Sequence, residues 1–188
     1  MRFDKCTTKF QQALADAQSV AVGKDNPYIE PQHLLVALLD QEDGATTALL
    51  QRAGANVPGL RAALQKTIDR MPKVRGAGGE VQIGRDLANL LNLADREAQQ
   101  RGDQFIASEM FLLALCEDKG ETGRIAKEQG LNRKALEQAI EAVRGGQSVN
   151  SQEAEGQREA LKRYTIDLTD RARAGKLDPV IGRDDEIR

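Results

Sequence analysis

The sequence predicts an all-α fold with pseudo-twofold symmetry, made of two copies of one four-helix unit. An apolar phrase occurs twice, at residues 28–39 and at residues 105–116. Each copy opens with an aromatic residue and an isoleucine and then stays apolar nearly all round a helix, which is typical of a buried central helix. Ile29 and Ile106 lie 77 residues apart, and the alanines later in the two phrases keep this offset. A constant offset between similar phrases indicates an internal repeat.

Composition also favours helices. Aromatic residues make up 3% of the 188 residues and tryptophan is absent, so leucine and alanine must fill the core. Strands prefer β-branched and aromatic side chains, whereas leucine and alanine are strong helix formers. The formal net charge of −2 reflects an even balance of acids and bases. Such a balance gives no basic field to attract nucleic acid or an anionic membrane, so we expect neither as a partner.

The sequence favours a cytoplasmic protein. No apolar run is long enough to cross a bilayer, and the N-terminus lacks the basic-then-apolar layout of a signal peptide. Cys6 and Cys116 lie far apart and belong to no motif. Reduced thiols that pack in the interior of a cytosolic protein are therefore favoured over a disulfide.

The first unit is predicted to span residues 1–71. Its first helix, over residues 8–22, starts at Thr7 or Thr8, since either threonine can cap a helix. The central phrase follows as the second helix, where Pro31 suits the first helical position. A short third helix precedes Gly54, and a fourth ends at Pro72. The predicted core positions of the first and fourth helices are Phe10, Ala13, Leu14, Ala17, Ala21, Leu60, Leu64, Ile68 and Met71.

The second unit is predicted to span residues 84–144, after a glycine-rich connector. Gly84 takes the place of Thr7 as the helix cap. After the second central helix the offset falls to 76, because Gly130 is then equivalent to Gly54. The predicted core positions of its first and last helices are Leu87, Leu90, Leu91, Ala94, Ala98, Leu136, Ala139, Ile140 and Val143.

The character of the chain changes after the second unit. Residues 145–152 are polar and contain glycine, which indicates a linker, and we place this linker at residues 145–160. Residues 161–188 end with an apolar Pro-Val-Ile run, a Gly-Arg pair and the beginning of another helix. We expect this tail to be the opening of a further domain.

Few residues suggest catalysis. His33 is the only histidine and lies on a predicted buried helix, so a packed, hydrogen-bonded histidine is favoured over a general base. The histidine and cysteines are too few and too scattered for a zinc site, and no phosphate-binding loop is present. We therefore expect no metal and no enzyme activity. An enzyme that uses His33 and Cys116 is the weakest alternative.

Two features suggest a binding site instead. Leu93 falls about 120° from the core stripe of its helix, so it is either covered by the other unit or exposed as an apolar contact. Glu109 and Met110 lie near the start of the second central helix, where backbone N–H groups lack partners, and Asp103 lies in the turn before it. Local capping is the structural alternative for both acids.

The double repeat and the tail together resemble the N-terminal region of the Clp-family AAA+ chaperones, most closely the ClpB-type disaggregases. The resemblance spans the whole chain, and its most specific part is the tail. The residues that carry it are Lys9–Ala21, Glu30–Leu39, Phe105–Glu109, Tyr164–Thr169 and Gly175–Asp184.

The resemblance implies that the domain recruits unfolded or aggregated polypeptide for threading by a homohexameric, ATP-driven ring. It also implies a co-chaperone system of the heat-shock-70 type and an apolar groove between the repeats. An adaptor- or substrate-binding domain of a protease-associated Clp ATPase is the alternative. This fragment itself is expected to be monomeric, to bind no cofactor and not to hydrolyse ATP, which belongs to the full-length protein.

Site residues are transferred from the resemblance only at matching positions. Thr7, Asp103 and Glu109 match polar residues that handle substrate in the family. Leu93 and Met110 are our apolar candidates for contact with the client, since methionine is flexible and polarisable. A segment beside the adenine of the bound nucleotide is matched by Pro179, Val180 and Ile181.

Overall fold

The computed structural model describes residues 2–75 and 81–158. The first unit contains a 3₁₀ turn at Phe3–Lys5, then α1 (Thr8–Gly23), β1 (Tyr28–Ile29), α2 (Pro31–Leu39), α3 (Ala45–Arg52) and α4 (Val57–Asp69). The second contains β2 (Gln82–Ile83), α5 (Arg85–Gln100), α6 (Ser108–Glu117), α7 (Glu121–Glu128) and α8 (Arg133–Arg144). The all-α prediction is confirmed, with four α-helices in each unit at the predicted places.

Both first helices bury the predicted stripes. Thr7, and not Thr8, caps α1, because its hydroxyl accepts the N–H of Phe10 at 3.2 Å. Gly84 caps α5 at the equivalent position. The sequence predicted all of the aliphatic and aromatic residues that these two helices bury: Phe10, Ala13, Leu14, Ala17, Ala21, Leu87, Leu90, Leu91, Ala94 and Ala98.

The two central helices lie at the middle of the core. All nine residues of α2 are buried, and so are the first eight residues of α6. Each central helix packs against the first helix of its own unit. The ring of Phe10 on α1 also lies 6.3 Å from the ring of Phe111 on α6, measured between centroids. The two units therefore share one core.

The start of each unit pairs with the middle of the other. Strands β1 and β2 run parallel, and the N–H of Gly84 donates to the carbonyl of Ile29 at 3.0 Å. At the equivalent place, the N–H of Thr7 donates to the carbonyl of Ile106 at 3.0 Å. These matching hydrogen bonds place the two units about a pseudo-twofold axis. The sequence did not predict the strands, because two residues are too few to show a period of two.

The later helices also pack across the units. Helix α3 contacts α8, and α4 contacts α7. The N–H of Asn56, at the start of α4, donates to the carbonyl of Gln129 after α7 at 2.7 Å. One predicted core position is wrong: Val143 on α8 is 40% exposed. It occupies the last full turn of the helix, one turn beyond the buried Ile140, where the neighbouring elements no longer cover it.

Residues 145–155, which we call the strap, pack against the second unit and the N-terminal segment. Val149 is only 2% exposed, and its carbonyl accepts the N–H of Gln104 at 2.8 Å. The carbonyl of Gln152 accepts the N–H of Thr8 at 2.8 Å, and the compact unit extends to Glu155. The sequence predicted a linker at residues 145–160. In the structure, backbone hydrogen bonds hold residues 145–155 of this range against the compact unit, although the segment has almost no apolar pattern. The predicted AAA+ segment, residues 161–188, lies outside the described residues.

Candidate functional site

His33 has a structural role. Its Nδ1 accepts the backbone N–H of Glu30 at 2.8 Å, and its Nε2 lies 2.8 Å from the amide oxygen of Asn26. Because an amide oxygen can only accept, Nε2 must carry the proton that it donates. Because Nδ1 accepts a hydrogen bond, it carries no proton, and the ring is neutral. Burial lowers the pKa of His33 to about 4, which agrees with this tautomer. The prediction of a packed, hydrogen-bonded histidine is confirmed.

The cysteines are not activated as nucleophiles. Both are free, and burial raises the pKa of Cys6 to about 12 and that of Cys116 to about 11. A reactive cysteine requires a lowered pKa, so these environments are those of packing thiols. Within residues 2–75 and 81–158, no group of His, Cys, Asp and Glu side chains is arranged to hold a metal ion. No helix in the same ranges has the length and hydropathy of a membrane span.

An apolar groove of about 330 Å³ lies between the two units. It runs along α1, beside β1 and β2, and the 3₁₀ turn contributes Phe3, which is 46% exposed. Two amide side chains, those of Gln11 and Gln18, supply the polar part of its wall. The remaining lining residues, apart from Phe3, are Leu14, Ala15, Ile29, Val81 and Ile83.

The two predicted apolar contact residues do not line this groove. Met110 is completely buried, so the expectation that it is exposed to a client is wrong. The physical reason is that α6 is covered on all sides by α5, α7 and α8. Leu93 is partly buried and packs against the core, so it is neither fully covered nor a fully exposed apolar contact.

Thr7, Asp103 and Glu109 come together, but inside the protein. Arg144 donates from both terminal nitrogens to the two carboxylate oxygens of Asp103, each at 2.9 Å, and from Nε to Glu109 at 2.9 Å. The side chains of Arg144, Asp103 and Glu109 are 6%, 0% and 6% exposed. Thr7 is also fully buried and donates its hydroxyl hydrogen to Glu155 of the strap. These residues therefore lie in two buried polar clusters, one around Arg144 and one around Glu155, and do not form an exposed rim.

Sequence reasoning missed Arg144 and Glu155, the residues at the centre of these two clusters. Arg144 closes a helix with a polar face, so its sequence context resembles that of a solvated arginine. A comparison of equivalent positions in the two units could have indicated Glu155. The first unit has a glutamate, Glu30, before its central helix, and the second unit has Ala107 there.

The family of the chain follows from its sequence and agrees with this geometry. Residues 5–129 match the model of the Clp repeat (R) N-terminal domain. The chain belongs to this Clp N-terminal repeat family. It is 54% identical over all 188 residues to the chaperone protein ClpB of Pseudomonas putida, and it covers 22% of that protein. The chain thus spans about a fifth of the length of the curated relatives that it matches.

Solved Clp N-domains have the same fold. The Hsp104 N-terminal domain from Candida albicans matches with a TM-score of 0.69 at 23% identity, over 80% of this chain and 98% of that one. A ClpV N-domain solved as a complex with a VipB peptide matches with a TM-score of 0.62 at 22% identity, over 74% of this chain and 86% of that one. At these identities the comparison establishes the fold alone. The family model covers residues 5–129, whereas the compact unit of the structure continues through α8 and the strap to Glu155.

Proposed function

We propose that this Clp repeat domain recruits unfolded or aggregated polypeptide for an ATP-dependent protein disaggregase. In this proposal the full-length protein is a cytoplasmic AAA+ ATPase. Its homohexameric ring threads the recruited chain and works with a co-chaperone system of the heat-shock-70 type. The similarity to ClpB over the whole of this chain supports the assignment.

The apolar groove is the observation that carries the proposal. An unfolded chain presents apolar side chains in many sequences, so its receptor needs accessible apolar surface with little demand on shape. The groove offers Phe3, Leu14 and Val81 for such contacts. Gln11 and Gln18 have amide groups that can bond an extended backbone without selecting its side chains. The ClpV N-domain, which has the same fold, was solved with a VipB peptide.

The polar residues of the sequence prediction have an indirect role in this proposal. Thr7 caps α1, and α1 forms one wall of the groove. Asp103 and Glu109 hold Arg144 and, through it, the position from which the strap departs. We propose that these three residues affect client binding by fixing α1 and the strap. Leu93 is too deeply buried to be a main contact with the client. Its partly exposed side chain can still add to the apolar surface of α5.

The test compares two exposed apolar residues. Phe3→Ser removes an aromatic side chain from the groove, whereas Val143→Ser removes an apolar side chain of similar exposure from α8. We expect Phe3→Ser to weaken binding of a permanently unfolded, carboxymethylated protein roughly five- to tenfold, since about 1 kcal/mol of apolar contact is lost. Val143→Ser should leave binding unchanged, and neither variant should lower the melting temperature appreciably.

An amide-shift map with the same unfolded protein locates the binding face independently. Shifts concentrated on the N-terminal half of α1 and on residues 81–83 would support the groove. Shifts confined to α7 and α8, together with unchanged binding by Phe3→Ser, would assign the client to another surface.

A further inference from the structure

The two units have equivalent junctions where two helix N-termini meet. In the first junction, α2 begins after Glu30 and α5 begins after Gly84. Glu30 forms a capping box with His33, and its carboxyl group lies against Gly84. A Cβ atom at position 84 would be 2.3 Å from the carboxylate oxygen of Glu30, so any other residue here would displace that carboxyl group. The first junction is thus filled by a carboxyl group from within the unit.

The second junction has the reverse distribution of side chains. Ala107 precedes α6 where Glu30 precedes α2, and Thr7 precedes α1 where Gly84 precedes α5. Alanine has no carboxylate, and the unpaired N–H groups and positive end of α6 favour an anion. The carboxylate at this junction comes from the strap. Glu155 accepts the N–H of Ser108 at 3.1 Å and the hydroxyl hydrogen of Thr7.

The Ser108 hydroxyl is a further hydrogen-bond donor at this junction. The residue Ser108 is 5% exposed, and its hydroxyl has no hydrogen bond of normal geometry to the described residues. It faces the carboxyl group of Glu155, whose charged form it stabilises. The junction therefore provides a backbone N–H and two hydroxyl groups around one buried carboxyl group that is 6% exposed. All three groups can donate to a carboxyl oxygen, and the Thr7 hydroxyl also accepts the N–H of Phe10 at 3.2 Å.

We propose that Thr7 and Ser108 form a carboxylate-binding slot of which Glu155 is the built-in occupant, and that release of the strap opens it to a glutamate side chain of another polypeptide. A glutamate is the expected ligand because a glutamate side chain of this length already fits the slot. The proposal does not rest on the apolar groove, which shares none of these residues.

The strap is held in a way that permits release. Val149 is its only fully buried apolar side chain within the described residues, and the other contacts are hydrogen bonds. Such bonds exchange readily for bonds to water, with a small net free energy for each. Apart from the bonds of Glu155, the strap bonds the turn before α6 and the N-terminal segment through six pairs of residues. These are Gln104 and Val149, Val149 and Asp103, Ser148 and Arg101, Thr8 and Gln152, Gln152 and Asp4, and Thr8 and Glu153.

Charge around the slot gives the docking a pH dependence. Burial, followed by the charge of Glu109, raises the pKa of Glu155 to about 7. Glu109 is itself paired with Arg144, which Asp103 also holds, so no cation is directed at Glu155. A carboxyl group with a raised pKa in the docked state binds a proton more tightly there than when released. Docking is therefore strongest below the ordinary glutamate pKa and weakens as the pH rises through about 7.

The experiment removes the occupant and supplies a replacement. In Glu155→Ala we expect the amide hydrogen of Ser108 to exchange about tenfold faster or more, since a hydrogen bond to a carboxylate is lost. Measured below pH 7, where the docked carboxyl group is held best, acetate should then shift the Ser108 amide resonance saturably in Glu155→Ala and not in the wild-type chain. A short peptide with one glutamate and an amidated C-terminus should do the same, whereas its glutamine counterpart should not.

Two further variants serve as controls. Glu153→Ala removes the neighbouring strap carboxylate, which contacts only the exposed Thr8 hydroxyl, and should leave Ser108 protected. Glu155→Gln keeps a side chain of the same length on a strap that other hydrogen bonds still hold in place, unlike the free glutamine peptide. It should therefore protect Ser108 less than Glu155 does, and that protection should no longer depend on pH. An acetate shift of equal size in the wild-type chain, or none in Glu155→Ala, would overturn the slot. Loss of client binding by Phe3→Ser would still stand in that case.

Discussion

One difference between equivalent residues changes what the neighbouring turn can bind. In the first unit His33 on α2 bonds Asn26 in the turn before it. In the second unit Met110 occupies the place of His33, and Asp103 occupies the place of Asn26, since both pairs are 77 residues apart. Methionine offers no hydrogen bond to the turn, so the carboxylate of Asp103 bonds Arg144 and the strap instead. The two units thus keep one backbone and use it for different contacts.

His33 should titrate far below an ordinary histidine. It is the only histidine of the chain, so the imidazole C–H signals of the proton spectrum all come from this one ring. We expect a midpoint near pH 4, because burial in a neutral hydrogen-bonded site lowers the pKa. A midpoint above pH 6 in the folded protein would contradict this environment.

The same shift predicts a loss of stability in acid. The folded state disfavours the protonated ring, so the contribution of His33 is complete above the ordinary pKa of 6.5 and is lost as the pH falls toward about 4. At about 1.4 kcal/mol per pKa unit, this contribution amounts to at most about 3 kcal/mol. Urea unfolding at pH 7 and at pH 4.5 measures the loss. His33→Gln, which cannot titrate in this range, should show a smaller loss.

Met110 and Leu93 should differ in their effect on stability. Met110 is fully buried at the centre of the core, so Met110→Ala should lower the free energy of unfolding by about 2–5 kcal/mol. Leu93 is only partly buried, so Leu93→Ala should cost about 1 kcal/mol. Urea denaturation of both variants gives the comparison. Equal, small effects would show that Met110 is accessible after all.

At the scale of elements, the strap decides where the folded domain ends. We expect trypsin to leave the bond after Arg144 intact in the folded chain, although arginine is a cleavage residue. The Arg144 side chain is 6% exposed and paired with two carboxylates, and the strap that follows is hydrogen-bonded as far as Glu155. Mass spectrometry of a limited digest should show a resistant fragment that ends beyond Glu155. A stable fragment that ends at Arg144 would mean that the strap is not held in solution.

The strap also shows the limit of sequence patterns for irregular segments. The helices were predicted at their places, because a stripe of apolar residues reports directly which face is buried. The strap has one apolar anchor, Val149, and is held mainly by backbone groups, which every residue carries. The sequence therefore gives no sign that this segment packs. The same reason explains why β1 and β2 were not predicted.

At the scale of the whole molecule, the pseudo-twofold arrangement brings equivalent glycines together. Gly54 and Gly130 both have positive φ values, 88° and 98°. A Cβ atom at Gly130 would lie 3.0 Å from the carbonyl oxygen of Gly54, whereas a Cβ atom at Gly54 would meet nothing within 4 Å. Only the glycine of the second unit is therefore required for the contact between units.

Alanine substitutions at these glycines should separate two effects. Gly54→Ala carries the conformational cost alone, about 1 kcal/mol or slightly more. Gly130→Ala adds the close approach to the other unit, so it should lower the free energy of unfolding by a further 1 kcal/mol or so. Chemical denaturation of both variants measures the difference. Equal costs would mean that the units adjust at this contact without strain.

The sequence by itself determined the all-α class, the two four-helix units, the buried stripes and the resemblance to Clp N-domains. These features follow from residue types and their spacing, because residues three or four positions apart lie on the same face of a helix. Only the tertiary structure decided that Met110 is core, that Thr7, Asp103 and Glu109 meet Arg144 and Glu155, and that residues 145–155 belong to the domain. Such facts depend on which groups meet across large separations in the chain, as when Glu155 reaches Thr7 over 148 residues. The residue type of a polar side chain does not show whether it will be solvated or buried with a partner, and only the folded structure distinguishes the two.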